Sequence, residues 1–237
     1  MTELMLIIER VLKGRGFCLT AEMTSLFEKY TSILLDWNEK MNLTAITVPE
    51  QIAVKHFLDS LLVLSAYEMP KNAAIIDVGS GAGFPGVPLK IARPDLKLTL
   101  LDSLQKRISF LEALSTDLNL KIDLVHGRAE DCARDVLFRE NFDVAVSRAV
   151  APLNVLLELC LPFVKVGGVF VALKGSKVQE ELAASGSALK TLNSEVALVK
   201  CFDLVGCEDR NIVVTKKLSK TDEKYPRTSA KIKKKPL

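Results

Sequence analysis

The chain has 237 residues, of which 49% are apolar and 26% charged; 32 basic and 29 acidic residues give a net charge of +3. A chain of this length buries a core without staples, and the composition is that of a globular protein rather than a disordered or fibrous one. Five scattered cysteines (Cys18, Cys132, Cys160, Cys201, Cys207) form no C-x-x-C pair, which argues against a disulfide framework or a zinc site, and no apolar run approaches the ~18 residues that span a bilayer.

The N-terminus carries Glu3 and a short apolar stretch, Leu4 to Ile8, without the basic start or cleavage site of a signal peptide. A cytoplasmic location with reduced thiols is expected. The first seventy residues read as helical. Leu26, Tyr30, Ile33, Leu34 and Trp37 recur at helical spacing, and Thr20 is placed as an N-cap. A second helical stretch runs from about Pro49 to Tyr67 and is broken by Pro70 and Asn72.

The pattern then changes. Ala73 to Val78 is a short apolar run ending in glycines, which reads as a buried strand. A helix from about Pro85 to Ala92 is stopped by Arg93-Pro94. Leu96 to Leu101 is a second strand, and Ser103 is expected to cap a helix bearing Leu104, Ile108, Leu111 and Leu118. Ile122 to Val125 is a third strand, Glu130 to Phe138 a helix, and Phe142 to Val146 a fourth strand. Leu153 to Val164 is a helix, Gly168 to Leu173 a fifth strand and Val178 to Leu192 one helix; Glu195 to Phe202 and Arg210 to Lys216 close the pattern as two strands. This alternation predicts an α/β fold, Rossmann-like, with a mostly parallel seven-stranded sheet and helices on both faces. The expected organisation is an N-terminal helical extension over 1–70, a ligand-binding core over 71–217 and a basic tail over 218–237.

That tail is low in complexity. From Lys216 to Leu237 nine basic and two acidic residues give +7, leaving 23 basic and 27 acidic residues, or −4, for the remainder. Such asymmetry fits an acidic partner such as nucleic acid; it also fits a solvated tail that only aids solubility.

The strongest motif is Asp77-Val78-Gly79-Ser80-Gly81-Ala82-Gly83-Phe84-Pro85-Gly86, between a strand and a helix. Glycines there let the chain turn sharply and approach a ligand. Gly81 to Gly86 is literally G-x-G-x-x-G, the dinucleotide fingerprint, and Asp102 at the end of the second strand suits a ribose hydroxyl with either cofactor. Asp77-x-Gly79-x-Gly81-x-Gly83, however, resembles the class I methyltransferase signature for S-adenosylmethionine. Pro85 and Pro88 remove amides that a pyrophosphate would use at the helix start, which favours the methyltransferase reading.

Further segments point the same way: Trp37-Asn38-x-x-x-Asn42-Leu43-Thr44, His56-Phe57-Leu58-Asp59-Ser60, Gly127-Arg128-Ala129-Glu130, Ser147-Arg148-Ala149, Leu173-Lys174-Gly175 and Tyr225-Pro226-Arg227. With the glycine loop, these seven segments closely resemble the bacterial 16S ribosomal RNA guanine-N7 methyltransferase family, RsmG or GidB, from about Thr31 to the C-terminus. The resemblance implies a class I methyltransferase core, methylation of guanine at ring nitrogen 7, and 16S ribosomal RNA or the small subunit as partner. It implies cofactor contacts at Gly79, Phe84, Ala129, Glu130 and Arg148, with Asp102, Ser103 and Leu104 beside the adenosine and Asp77, Gly81 and Gly83 in the loop. Asn42, His56, Arg148 and Lys174 are candidates for positioning the substrate, and Arg227, Lys233, Lys234 and Lys235 for binding RNA. No metal is implied, and a monomer is expected.

The residues themselves constrain these roles. Glu130 at a helix start is a ligand for adenine or simply a favourable charge at a helix N-terminus. Arginine commonly grips guanine through oxygen 6 and nitrogen 7 together; that grip on the acceptor would block the atom to be methylated, so Arg148 is expected to meet the cofactor carboxylate, oxygen 6 or a phosphate. His56 and Asp59 are spaced to pair on one helix face. They look like a general base and its orienting carboxylate, but guanine nitrogen 7 carries no proton, so a positioning role is expected. Lys174 is a phosphate contact or a solvated strand end. Cys132 and Cys160 are expected as buried small apolar residues. The rival readings are a NAD-dependent oxidoreductase, a non-catalytic RNA-binding module for ribosome assembly, and a methyltransferase for proteins or small molecules.

Overall fold

The computed structural model describes residues 16–148, 151–203 and 209–237, together with Leu6, Arg10, Leu12 and Lys13. Ala149, Cys207 and the stretch 4–8 apart from Leu6 lie outside the described residues. Helix α1 spans Ala21–Asn38, and Thr20 caps it as expected, its side chain accepting from the Met23 amide at 3.2 Å. Its buried stripe is Thr24, Phe27, Tyr30, Thr31 and Leu34, while Leu26, Ile33 and Trp37 flank it, partly buried. Helices α2 (Pro49–Ile52) and α3 (Asp59–Ala66) are joined by a π-helical stretch over Ala53–Leu58. Such wide turns occur often at functional sites.

Seven strands follow: β1 (Ala74–Val78), β2 (Lys97–Asp102), β3 (Ile122–His126), β4 (Phe142–Arg148), β5 (Val164–Lys174), β6 (Ser194–Phe202) and β7 (Arg210–Lys217). Their order is β3-β2-β1-β4-β5-β7-β6. The first five run parallel, and β7 is antiparallel to both β5 and β6. The apolar runs are explained by burial on both faces. Ile75, Val144, Val146 and Val171 enter one core with α1 to α3, whereas Ile76, Ala145 and Phe170 enter the other.

The connecting helices are α4 (Gly86–Ala92), α5 (Gln105–Asp117), α6 (Ala129–Cys132), α7 (Leu153–Cys160), α8 (Val178–Ala183), α9 (Gly186–Thr191) and α10 (Ser229–Lys234). Three expectations change. Ser103 does not cap α5: the capping position is Leu104, whose amide donates to Asp102 Oδ1 at 2.9 Å, so the strand-end acid does the work of a cap. The helix after β3 ends at Cys132 and continues as turns. The stretch 178–192 is two helices, and Ser185 turns its hydroxyl back to the Glu181 carbonyl at 2.6 Å between them.

The tail is not a solvated coil. Lys217 is fully buried, donating to Glu140 at 2.7 Å and to the Leu161 and Val164 carbonyls. Ile232 on α10 is also buried. Among the described residues no helix is long and apolar enough to cross a membrane.

Candidate active site

The strand order reverses between β1 and β4, the place where open parallel sheets bind ligands outside their carboxyl ends. Two adjoining cavities open there. One, of about 200 Å³, is lined by Val78, Gly79, Leu101, Asp102, Ser103 and Gly127 through Glu130 after β1 to β3, and by Leu156 and Leu159 of α7. The other, of about 650 Å³, is lined by Ile46, Lys55, His56, Asp59, Arg148, Lys174, Glu181 and Arg210, among others. Ala151 lines both.

In the smaller cavity the loop after β1 sets the geometry. Gly79, Gly81 and Gly83 take φ of 77°, 59° and 93°. Asp77 is fully buried, and its Oδ2 accepts from the Gly86 amide at 2.8 Å. This close approach requires glycine: a Cβ at Gly86 would lie 2.7 Å from Leu100 and 2.8 Å from Asp77 Oδ2. Asp77 Oδ1 has no partner among the described residues. Burial pushes the Asp77 carboxyl up to about 7; the Gly86 amide and the Arg148 cation oppose the shift and Asp102 adds to it. Asp102, 2% exposed, accepts from the Gly81 amide at 2.9 Å and pairs with Arg107 at 3.2 Å. Ser103 and Leu104 are exposed beside it, and Ala129 and Glu130 are half-buried at the far wall.

In the larger cavity Arg148 is the centre. Its Nη1 donates to Asp59 Oδ2 at 3.1 Å and to the Lys55 carbonyl at 3.2 Å, and its guanidinium lies 4.7 Å over the Phe84 ring. The Phe84 ring, 4% exposed, is closed in by Tyr30 and His56 stacked at 5.2 and 4.5 Å. The expected His56–Asp59 pair does not form. Asp59 faces Arg148 and Arg210 instead, while His56 meets Thr44 Oγ1 at 2.9 Å through Nε2. Two arginines outcompete a neutral imidazole for a buried carboxylate. Burial first, and then the Arg148 cation, hold His56 down to about 3, so the ring is neutral at physiological pH.

No motif singles out Arg210. Its Nε lies 3.3 Å from Asp59 Oδ1, close enough for an ion pair, yet neither buried atom has a hydrogen bond among the described residues. Lys174 is not a solvated strand end: it is 6% exposed, donates to the Ala151 carbonyl at 2.7 Å and pairs with Glu181 at 2.7 Å. Glu181 also accepts from the Leu153 amide at 2.6 Å, tying the start of α7 to β5. Asn42 is exposed and lines neither cavity; the nearby Asn38 carbonyl Oδ1 shapes that loop by accepting from the Leu43 and Thr44 amides.

The tail candidates divide. Lys233, Lys234 and Lys235 are exposed. Arg227 is held by Glu158, which is fully buried on α7, at 2.8 Å through Nε and 2.6 Å through Nη2. Cys160 is buried with its thiol pKa pushed up, while Cys132 is half-buried, and among the described residues no His, Cys, Asp and Glu cluster suits a metal.

The family model described as rRNA small subunit methyltransferase G matches residues 23–213. The chain is similar to the Ribosomal RNA small subunit methyltransferase G of a Thermoanaerobacter species, at 51% identity over 213 residues and 89% of either chain. It is similar to the protein of the same name from Alkaliphilus oremlandii, at 48% identity over 237 residues and 99% of either chain. Among solved structures, the precorrin-6y C5,15-methyltransferase of Geobacter metallireducens matches with a TM-score of 0.53 over 67% of this chain and 87% of that chain, at 14% identity, a likeness of fold alone.

Proposed function

The chain belongs to the rRNA small subunit methyltransferase G family, and from that premise we propose that it methylates ring nitrogen 7 of a guanine in 16S ribosomal RNA, with S-adenosylmethionine as cofactor. The observation that carries this reading is the start of α4. The Gly86 amide is taken by Asp77, the Val87 amide donates to the Gly83 carbonyl, and Pro88 has no amide. Nothing there is left for a pyrophosphate, which weighs against a NAD-dependent oxidoreductase. A buried carboxylate with one empty oxygen suits a cationic ligand instead.

S-adenosylmethionine, when bound, supplies an electrophilic methyl group on a sulfonium centre. Asp77, Gly79, Gly81 and Gly83 would hold its amino-acid end, Asp102, Ser103 and Leu104 its ribose, and Ala129 and Glu130 the adenine edge. Phe84 would contribute through its backbone, because its ring is closed in. Arg148 lines the neighbouring cavity and would face the cofactor carboxylate or guanine oxygen 6.

The remaining residues would orient the acceptor. Guanine nitrogen 7 presents a lone pair and has no proton to lose, so no side chain need act as a base. A neutral His56 packed on Phe84 then serves to position its neighbours. Alignment of this kind supplies up to ~7–11 kcal/mol in favourable systems. Lys174, which lines the larger cavity, is proposed as a further positioning residue, whereas Asn42 lies outside it; Lys233, Lys234 and Lys235 are proposed as contacts to RNA phosphates. We place the reaction in the cytoplasm, carried out by a monomer. The exposed Lys233, Lys234 and Lys235 favour an RNA substrate over a small molecule.

The test is to incubate the protein with labelled S-adenosylmethionine and 16S ribosomal RNA from an unmethylated strain, then map the modified base. Label at nitrogen 7 of one guanine is expected; label on an exocyclic amine or on protein would overturn the reading.

A further inference from the structure

Helices α6 and α7 both contribute to the lining of the smaller cavity, and one distant segment is bonded to α7 and to the turns after α6. Helix α7 contributes Leu156 and Leu159 to the cavity, and Glu158 lies between them in sequence with no exposure. The Arg227 backbone amide also donates to Glu158 Oε1 at 2.8 Å, adding to its two guanidinium bonds. On the same helix, Asn154 Nδ2 donates to the carbonyl of Leu237 at 3.4 Å.

Helix α6 contributes Ala129 and Glu130 to the same cavity. The turns that follow it carry Arg134 and Arg139. Arg134 donates to the carbonyls of Glu223, Lys224 and Pro226, and Arg139 to those of Thr221, Asp222 and Tyr225. The segment 221–237 is therefore fixed both to α7 and to the turns that follow α6. Residual mobility in either wall would change the width of the cavity between them.

We propose that residues 221–237 form a strap that sets the width of the cofactor cavity, with Arg227 and Glu158 as its pin. This rests on the assignment of that cavity to S-adenosylmethionine. Arg227 is then a positioning residue rather than a phosphate contact. Without the Arg227 guanidinium, Glu158 is a buried charge held by one backbone amide, which the protein relieves by opening to water. That opening shifts α7. The lysines of α10 project from the same strap but are exposed, so pinning and RNA docking use different residues.

Calorimetry with S-adenosylhomocysteine and a binding assay with transcribed 16S ribosomal RNA, on the full chain well below its melting temperature, separate the two roles. Arg227→Ala is expected to weaken S-adenosylhomocysteine about tenfold, within the range of indirect coupling, and to leave RNA affinity within about twofold; Arg227→Lys should restore part of the loss. Lys233, Lys234 and Lys235 changed together to alanine should do the reverse. Should Arg227→Ala fail to fold, Arg134→Ala loosens the strap at an exposed site and should show the same selectivity with a smaller effect, about threefold. The strap is overturned if Arg227→Ala or Arg134→Ala leaves S-adenosylhomocysteine binding at the wild-type level, or if both affinities fall together. Absence of S-adenosylhomocysteine binding by the wild-type protein would remove the cofactor assignment itself, and the strap with it.

Discussion

The two adjoining cavities are built in opposite ways. Apart from Ala151 and two leucines of α7, the smaller is lined by residues at or just after the ends of three neighbouring strands: 78–79, 101–103 and 127–130. Much of what it needs is backbone conformation and strand-end acids, so its determinants sit next to one another in the chain. The larger draws Ile46, the π-helical turn, the end of β4, the end of β5, α8 and the start of β7 into one place. Its chemistry is carried by charged side chains that meet only because the sheet order brings them together. Turn geometry is written locally, and convergence of charge is written by topology.

If the two halves are separable, mutations should divide them. The largest effect is expected from Gly81→Val. The space where a Cβ would stand is open, with Gly79 O 4.0 Å away, so the valine would project toward the ligand and strain a φ of 59°. Calorimetry should show S-adenosylmethionine binding weakened on the order of 100-fold; unchanged binding would remove this loop from the site. Next comes Arg210→Ala, which takes one of two cations from Asp59. Single-turnover methyl transfer should fall about 10- to 100-fold while S-adenosylhomocysteine affinity holds. A parallel loss of both would mean that the halves are one unit.

A smaller effect concerns pH. Asp77 binds its proton more tightly folded, at about 7, than its ordinary 3.8. Its contribution to stability is therefore present at low pH and lost as pH rises through about 7. His56 works the other way: held to about 3 from 6.5, it contributes above 6.5 and loses that contribution as pH falls toward 3. Asp77→Asn should accordingly flatten the decline in melting temperature of the ligand-free protein between about pH 4 and 7. A cationic cofactor favours the ionised carboxylate, so its affinity should rise through pH 7, while the saturated single-turnover rate stays flat from about 6.5 to 8.5. A saturated rate that tracked one ionisation in that window would contradict transfer without a base and would point to Asp77, at about 7, rather than to His56, held near 3. The smallest effect is that of the three tail lysines changed to alanine. The slope of log affinity against log salt should drop by about 0.7 for each phosphate of single-stranded RNA that is no longer neutralised. An unchanged slope would leave those lysines as a solubility device.

The same contrast decides what sequence reading could reach. Strand and helix alternation, the glycine loop and Asp102 were legible because each rests on spacing within a few residues. The cap of α5 was misplaced by one residue because Asp102, a strand residue, reaches forward to the Leu104 amide. The break at Ser185 needed a hydroxyl turning back on its own helix. Composition leaves the tail open between a contact to an acidic partner and a solvated coil, because nothing in it shows that the tail carbonyls satisfy Arg134 and Arg139. Arg210 carried no motif at all: it is a strand-start arginine until β7 packs beside β5 and brings it to Asp59. The spacing of His56 and Asp59 predicts a pair that does not form, because the partner that takes the carboxylate, Arg148, lies 89 residues away in sequence.

The central claim is that the larger cavity presents nitrogen 7 of guanine to the cofactor side without a base. The most direct measurement compares label transfer from S-adenosylmethionine to 16S ribosomal RNA with transfer to the same RNA made with 7-deazaguanosine, in which carbon replaces that nitrogen. The account predicts stoichiometric label on the first and none on the second, with both RNAs bound by the protein. Equal labelling of the two would place the methyl group elsewhere and contradict it.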